Sequence, residues 1–69
     1  MRFADTGIEG FRVVALRDSG LEGTLYEKGD ICIIESVTPD MVTIIKDETN
    51  RVAIAHCLRK NFYEDWKLI

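Results

Sequence analysis

Short runs of β-branched and other apolar residues, separated at close intervals by turn residues, are the feature that most constrains the fold of this chain. The four clearest runs cover residues 11–17, 31–37, 41–46 and 51–55, and a weaker fifth run covers residues 63–69. Runs of this length and composition between turn signals predict β-strands. The sequence therefore predicts an all-β fold with five short strands.

The segments between these runs have the composition of turns and loops. Residues 18–24 read DSGLEGT, residues 27–30 read EKGD and residues 47–50 read DETN. Glycine supplies backbone freedom in such segments, and aspartate and asparagine bond to nearby backbone amides. Pro39 fixes its own φ angle and cannot donate to a sheet ladder, so we expect it to end the second strand.

The last third of the chain predicts a hairpin, a helical turn and a closing strand. Residues 41–55 carry the hairpin pattern, with turn chemistry between two apolar runs. In the second strand of this hairpin, residues 51–55, Val52 and Ile54 alternate with small or charged residues, so we expect both in the core. Residues 56–62 mix charge and apolar character without a clean period, which suggests a short helical turn.

One domain is expected, because 69 residues provide a single hydrophobic core at most. We assign residues 11–69 to the domain and residues 1–10, which mix glycine with polar residues, to an extended N-terminal arm. Apolar residues make up 46% of the chain, which is outside the disordered class. No signal-peptide pattern and no run of ~20 apolar residues is present, so we expect a cytoplasmic protein.

Residues 25–31, LYEKGDI, carry a family resemblance. They resemble the diverging turn of SH3 domains, where a hydrophobic residue precedes Lys-Gly-Asp and a β-branched strand follows. The segment order over residues 11–69 is similar to that family as well, and implies a small five-stranded SH3-like barrel with a short helical turn near residues 56–62. The Trp and Pro with which SH3 domains bind proline-rich peptides have no counterpart in MVTIIK or HCLRKNF, so we expect no polyproline groove.

The layout also resembles small SH3-like proteins encoded by phages of Gram-positive bacteria. In those proteins a strand that begins with Lys-Gly, an Asp-Glu-Thr/Ser-Gly turn and a late Phe recur. The matching positions are Lys28-Gly29, residues 47–49 and Phe62, while Asn50 stands where the pattern has glycine. The resemblance implies a phage effector that modulates or inhibits a host protein, in the host cytoplasm.

Charge is unevenly distributed along the chain. The net charge is −3, and residues 1–40 carry four cations and eight acids, whereas residues 41–69 carry five cations and four acids. The candidate partner-binding residues are Asp18, Glu22, Tyr26, Glu27 and Asp30, on the loop of residues 18–30. We expect a non-enzymatic protein-binding module that presents this acidic loop to a basic partner. An ordinary solvated loop is the alternative.

A second function class rests on a basic and aromatic tract in residues 51–66. Its candidate nucleic-acid-binding residues are Arg51, Arg59, Lys60 and Trp66, since arginine meets phosphate and aromatic rings stack on bases. Acidic residues in the same tract and the negative net charge oppose this alternative. The six aromatic residues exceed what a chain of this size readily buries, and the excess would suit a protein interface or a homodimer.

Catalytic and metal-binding patterns are weak. His56 and Cys57 are adjacent, so on a strand they point to opposite faces, and Cys32 lies inside an apolar run where its thiol is desolvated. One histidine and two cysteines without ligand spacing do not make a zinc site. We therefore expect no enzyme, no metal and no cofactor.

Overall fold

The computed structural model describes residue 4, residues 7–20 and residues 25–69, and forms one antiparallel sheet of five strands. The strands are β1 (Arg12–Ala15), β2 (Ile31–Val37), β3 (Met41–Ile45), β4 (Ala53–Leu58) and β5 (Trp66–Leu68). A 3-10 turn at Arg59–Asn61 and the helix α1 (Phe62–Asp65) connect β4 to β5. The order across the sheet is β4-β3-β2-β1-β5, and the sheet is not closed.

The all-β class, the five strands and the helical turn before the last strand are confirmed. The turn begins at Arg59 because β4 continues through Leu58. The arrangement is compatible with a small β-barrel-like fold. In the part of the chain that the structure describes, no helix is long and apolar enough to cross a membrane.

One face of the sheet carries the core. Val13 pairs with Cys32 across β1 and β2, and both side chains are buried because alternate residues of a strand point to the same face. The largest buried side chains are Trp66 and Phe62, which the connection between β4 and β5 places against the same face. The main core cluster is Ala4, Ile8, Val13, Ala15, Cys32, Ile34, Val42, Ile44, Phe62 and Trp66.

Two residues of the segment assigned to the N-terminal arm belong to this core. Ala4 is fully buried and Ile8 is 7% exposed. The Ala4 amide donates to the Arg59 carbonyl at 3.0 Å, and the Gly10 amide donates to the Ile34 carbonyl at 2.8 Å. The described part of residues 1–10 thus packs on the sheet and contributes to the core.

The prediction that Val52 lies in the core is wrong, since its side chain is 68% exposed. The strand begins one residue later, at Ala53, and its pairing with β3 skips one residue between Ala53 and Ala55. Such a bulge changes the alternation locally. As a result Ile54 and Ala55 both pack partly buried against the core, and Val52 lies before the strand.

Candidate functional site

The candidate site is built on the turn that precedes β2. The Asp30 amide donates to the Glu27 carbonyl at 3.0 Å, which closes a four-residue turn. Gly29 occupies its third position with φ of 96°, a conformation that type II turns require there and that favours glycine. The Gly29 amide donates to the Ala15 carbonyl at 2.8 Å. The turn is therefore anchored directly on the end of β1.

The loop after β1 closes onto this turn through Asp18 and Ser19. The Ser19 amide donates to the Tyr26 carbonyl at 2.9 Å, and the Leu25 amide donates to the Ser19 Oγ at 3.2 Å. The Lys28 amide donates to Asp18 Oδ1 at 2.8 Å. Asp18 is thereby held beside a turn that lies ten residues further along the chain. Glu22, the remaining predicted acid of this loop, lies outside the described residues.

Two of the three described acids have a structural role that the sequence analysis did not assign. Asp18 accepts the Lys28 amide, and Asp30 Oδ2 accepts the Glu27 amide at 2.9 Å. Both side chains remain exposed, so each keeps its charge at the surface while it fixes the backbone. The Glu27 carboxylate is exposed and forms no hydrogen bond or ion pair with the described residues. We call Asp18, Glu27 and Asp30 the acidic turn.

Tyr26 lies beneath the acidic turn and packs on the core. Its ring contacts Trp66, with centroids 4.8 Å apart and planes inclined by 45°. Burial, and secondarily the negative charge of Asp65, raise the pKa of the Tyr26 hydroxyl. The hydroxyl therefore stays protonated at neutral pH and can donate a hydrogen bond.

A small cleft adjoins the acidic turn. Its volume is about 140 Å³, and it has a mixed lining in which Leu25, Tyr26, Ile31 and Ile54 are accompanied by the charged residues Asp30 and Lys46. Leu25 is 55% exposed and Ile31 is 54% exposed, which is high for aliphatic side chains of this size. Of the apolar and aromatic residues of the cleft, only Tyr26 was predicted from the sequence as a binding residue; Leu25, Ile31 and Ile54 were not. Their positions depend on the loop closure and on the bulge in β4.

The structure does not assemble the basic and aromatic tract into one surface. Trp66 is 1% exposed and stacks inside the molecule, so its ring offers no platform for a base. Arg59 donates from Nε to the Ala4 carbonyl at 2.9 Å and from Nη1 to the Pro39 carbonyl at 3.0 Å. Arg51 lies at the other end of β4 and pairs with Glu35 at 3.7 Å. Lys60 is exposed on the 3-10 turn.

The two thiols are free and have raised pKa values. Desolvation, and then the nearby Asp65 charge, raise the pKa of Cys57 to about 11. Burial, and then Asp30, raise the pKa of Cys32. His56 points to the opposite face of β4 from Cys57, as expected, and its Nδ1 lies 3.2 Å from the Thr43 hydroxyl oxygen.

Metal ligands are not grouped in the described ranges: there, no three His, Cys, Asp or Glu side chains lie close enough together to hold an ion. Comparisons of the chain with protein-family models, with curated proteins and with solved structures return no match.

Proposed function

We propose that this chain is a non-enzymatic, SH3-like protein-binding module whose acidic turn captures a basic segment of a partner protein. The observation that carries the proposal is the acidic turn itself, where backbone amides fix the exposed carboxylates of Asp18 and Asp30, and the exposed Glu27 belongs to the same turn beside a small cleft. The SH3-like assignment is supported by the strand order, by the turn around Gly29 and by the 3-10 turn before β5.

The acidic turn favours a cationic ligand by long-range attraction. Against Asp18, Glu27 and Asp30 stand two cations, Lys28 within the turn and Lys46 in the adjoining cleft, which leaves a net charge of −1. Charges of this kind mainly speed association and select the partner, because an exposed ion pair contributes only about 0.2–1 kcal/mol. Affinity must therefore come from the apolar side chains of the adjacent cleft.

The cleft supplies the apolar contact. Leu25 and Ile31 are each about half exposed, and Tyr26 lines the cleft with them. Burying a large aliphatic side chain that was exposed contributes about 1.5–3 kcal/mol when burial is complete. We infer a ligand segment in which an arginine or lysine is followed closely by an aliphatic or aromatic residue.

The site is also fixed before the ligand arrives. Residues 18–19 are connected to residues 25–30 by three hydrogen bonds, the turn is connected to the Ala15 backbone of β1 by two, and two more lie within the turn. A surface that is ordered in the free protein does not have to lose that conformational entropy on binding. This supports recognition of a short segment by a small surface.

The phage-effector part of the proposal rests on the resemblance at Lys28-Gly29, residues 47–49 and Phe62. A host protein with an exposed basic segment would then be the partner. The nucleic-acid alternative is not carried forward, because Trp66 is buried and Arg59 is bonded to two backbone carbonyls.

Selection from a displayed library of random peptides tests the proposed function. The native chain should enrich peptides that place arginine or lysine next to a bulky apolar residue. Glu27→Lys should lose this enrichment, because Glu27 carries charge in the turn without a structural hydrogen bond.

Glu9→Lys is the matched control. Glu9 is equally exposed, and its neighbour Gly10 pairs with Ile34, toward the far end of β2 from the acidic turn. This variant should retain the enrichment. The proposal would be refuted if the peptides selected by the native chain were not enriched in arginine or lysine. It would also be refuted if Glu27→Lys and Glu9→Lys lost the enrichment to the same extent.

A further inference from the structure

The face of the sheet that points away from the core is apolar in part. On this outer face Val14 lies between Ile31 and Lys67, and Arg12 lies beside Ile33. The Ile69 amide donates to the Arg12 carbonyl at 3.1 Å. Ile69 thus continues the row of neighbouring residues that Ile33 and Arg12 form across the sheet. The aliphatic members of the outer face are Val14, Ile31, Ile33, Ile45 and Ile69. Antiparallel sheets that face water on one side normally carry polar residues there.

Part of this apolar surface is covered by the chain itself. Ile45 is 1% exposed although it is not a member of the main core cluster. A cleft of about 400 Å³ is lined by Ile33 and Ile45 together with Glu48 and Arg51, so the loop after β3 lies beside these side chains. The described chain leaves the rest of the row open, since Ile31 is 54% and Ile69 is 70% exposed.

The two flanks of the outer face carry opposite charge. Arg12 and Lys67 lie on the β1 and β5 side. Asp47 and Glu48 lie on the side of the loop after β3, together with Lys46 and the ion pair of Arg51 with Glu35, and the net charge of this flank is −1. A cleft of about 330 Å³ lined by Arg12, Ile31, Ile33 and Glu48 spans the distance between these flanks. An apolar centre therefore separates a basic flank from an acidic one.

We propose that a second copy of this chain docks on the outer face and forms a two-fold symmetric dimer. A two-fold axis that passes between the flanks places the basic flank of each copy against the acidic flank of the other. Arg12 and Lys67 of one copy then face Glu48 and Asp47 of its partner. Ile31 and Ile33 pack against their symmetry mates at the spacing of two stacked sheets, about 10 Å. The argument for this dimer does not rest on the proposed partner binding, although Ile31 borders both surfaces and the two associations would compete for it.

Sedimentation equilibrium of the full chain over a range of concentrations tests the dimer, with three variants. Arg12→Glu places like charges across the interface and should raise the dimer dissociation constant by about tenfold or more. Glu48→Arg should do the same. The double variant Arg12→Glu/Glu48→Arg restores opposite charges across the axis and should recover the native dissociation constant.

Circular dichroism of each variant shows that the fold is retained, which both exposed positions should permit. A native chain that remains monomeric at all concentrations would overturn the proposal. So would single variants that dimerise like the native chain, or a double variant no better than the singles. Peptide selection by the acidic turn is read out separately, so a failure of either proposal is recognised by its own measurement.

Discussion

Replacing Gly29 by alanine tests whether the turn that holds the acidic residues has the conformation described. An alanine Cβ at this position would meet no atom within 4 Å, so the substitution causes no collision. The φ angle of 96°, however, is one that L-residues rarely adopt, and it costs about 1–2 kcal/mol. Alanine also restricts the unfolded chain, which returns about 0.4–1 kcal/mol. We expect a net loss of about 1 kcal/mol, or about 4–8 °C in Tm for a domain of this size.

Gly20→Ala is the matched control for this experiment. Gly20 is also free of atoms within 4 Å of the added Cβ, but its φ angle is not positive. Its substitution should leave stability unchanged or raise it by about 0.4–1 kcal/mol, through the unfolded state alone. Urea unfolding of the two variants gives the comparison. If Gly29→Ala were as stable as Gly20→Ala, the positive φ angle and the turn built on it would be refuted.

Three further predictions follow from individual contacts. Asp30→Ala should lose about 1 kcal/mol in urea unfolding because Oδ2 caps the Glu27 amide; Glu27→Ala should stay within about 0.5 kcal/mol of the native chain, and equal losses would contradict the structural role of Asp30. Cys57, with a pKa of about 11, should react with iodoacetamide at pH 8 much more slowly in the folded than in the unfolded chain; equal rates would contradict its desolvation. The Thr49 hydroxyl, and then the Asn50 amide, lower the pKa of Asp47, so its contribution to stability is present above the ordinary value of 3.8 and is lost as pH falls through the lowered pKa. Thr49→Ala should raise that pKa in an NMR titration, and an unchanged titration would exclude the hydroxyl as the main cause.

The strands were predictable because their signals are local. Residues 31–37 contain a β-branched run between the EKGD turn and the Pro39 break, and β2 has those bounds. The turn around Gly29 was predictable for the same reason, since glycine at the third position of a polar tetrapeptide carries its own conformational preference.

Burial was less predictable, because it depends on contacts between distant segments. The bulge at Ile54 depends on how β4 pairs with β3, and it decides that Ile54 packs inward while Val52 does not. Ala4 stands between Phe3 and Asp5, and Ile8 between Gly7 and Glu9, so no periodic pattern marks either as a core residue. Trp66 is buried because α1 turns the chain back onto the sheet.

Part of the candidate site could be found from its charges, but the arrangement of these charges could not. The sequence places Asp18 and Asp30 in one acidic loop, yet the bond from the Lys28 amide to Asp18 spans ten residues. Such a contact has no local signature. The apolar excess was expected among aromatic residues, whereas the structure leaves it largely with aliphatic ones such as Leu25, Ile31 and Ile69.

The central claim is that the acidic turn binds a basic segment, and NMR titration of the isotope-labelled chain tests it most directly. The probe is a synthetic peptide of alternating arginine and leucine, with a glutamate-leucine peptide as its counterpart. The arginine peptide should shift the backbone amides of residues 18–19 and 25–31 in the native chain, and should not do so in Glu27→Lys. Shifts confined to another surface, or equal shifts with the glutamate peptide, would contradict the claim.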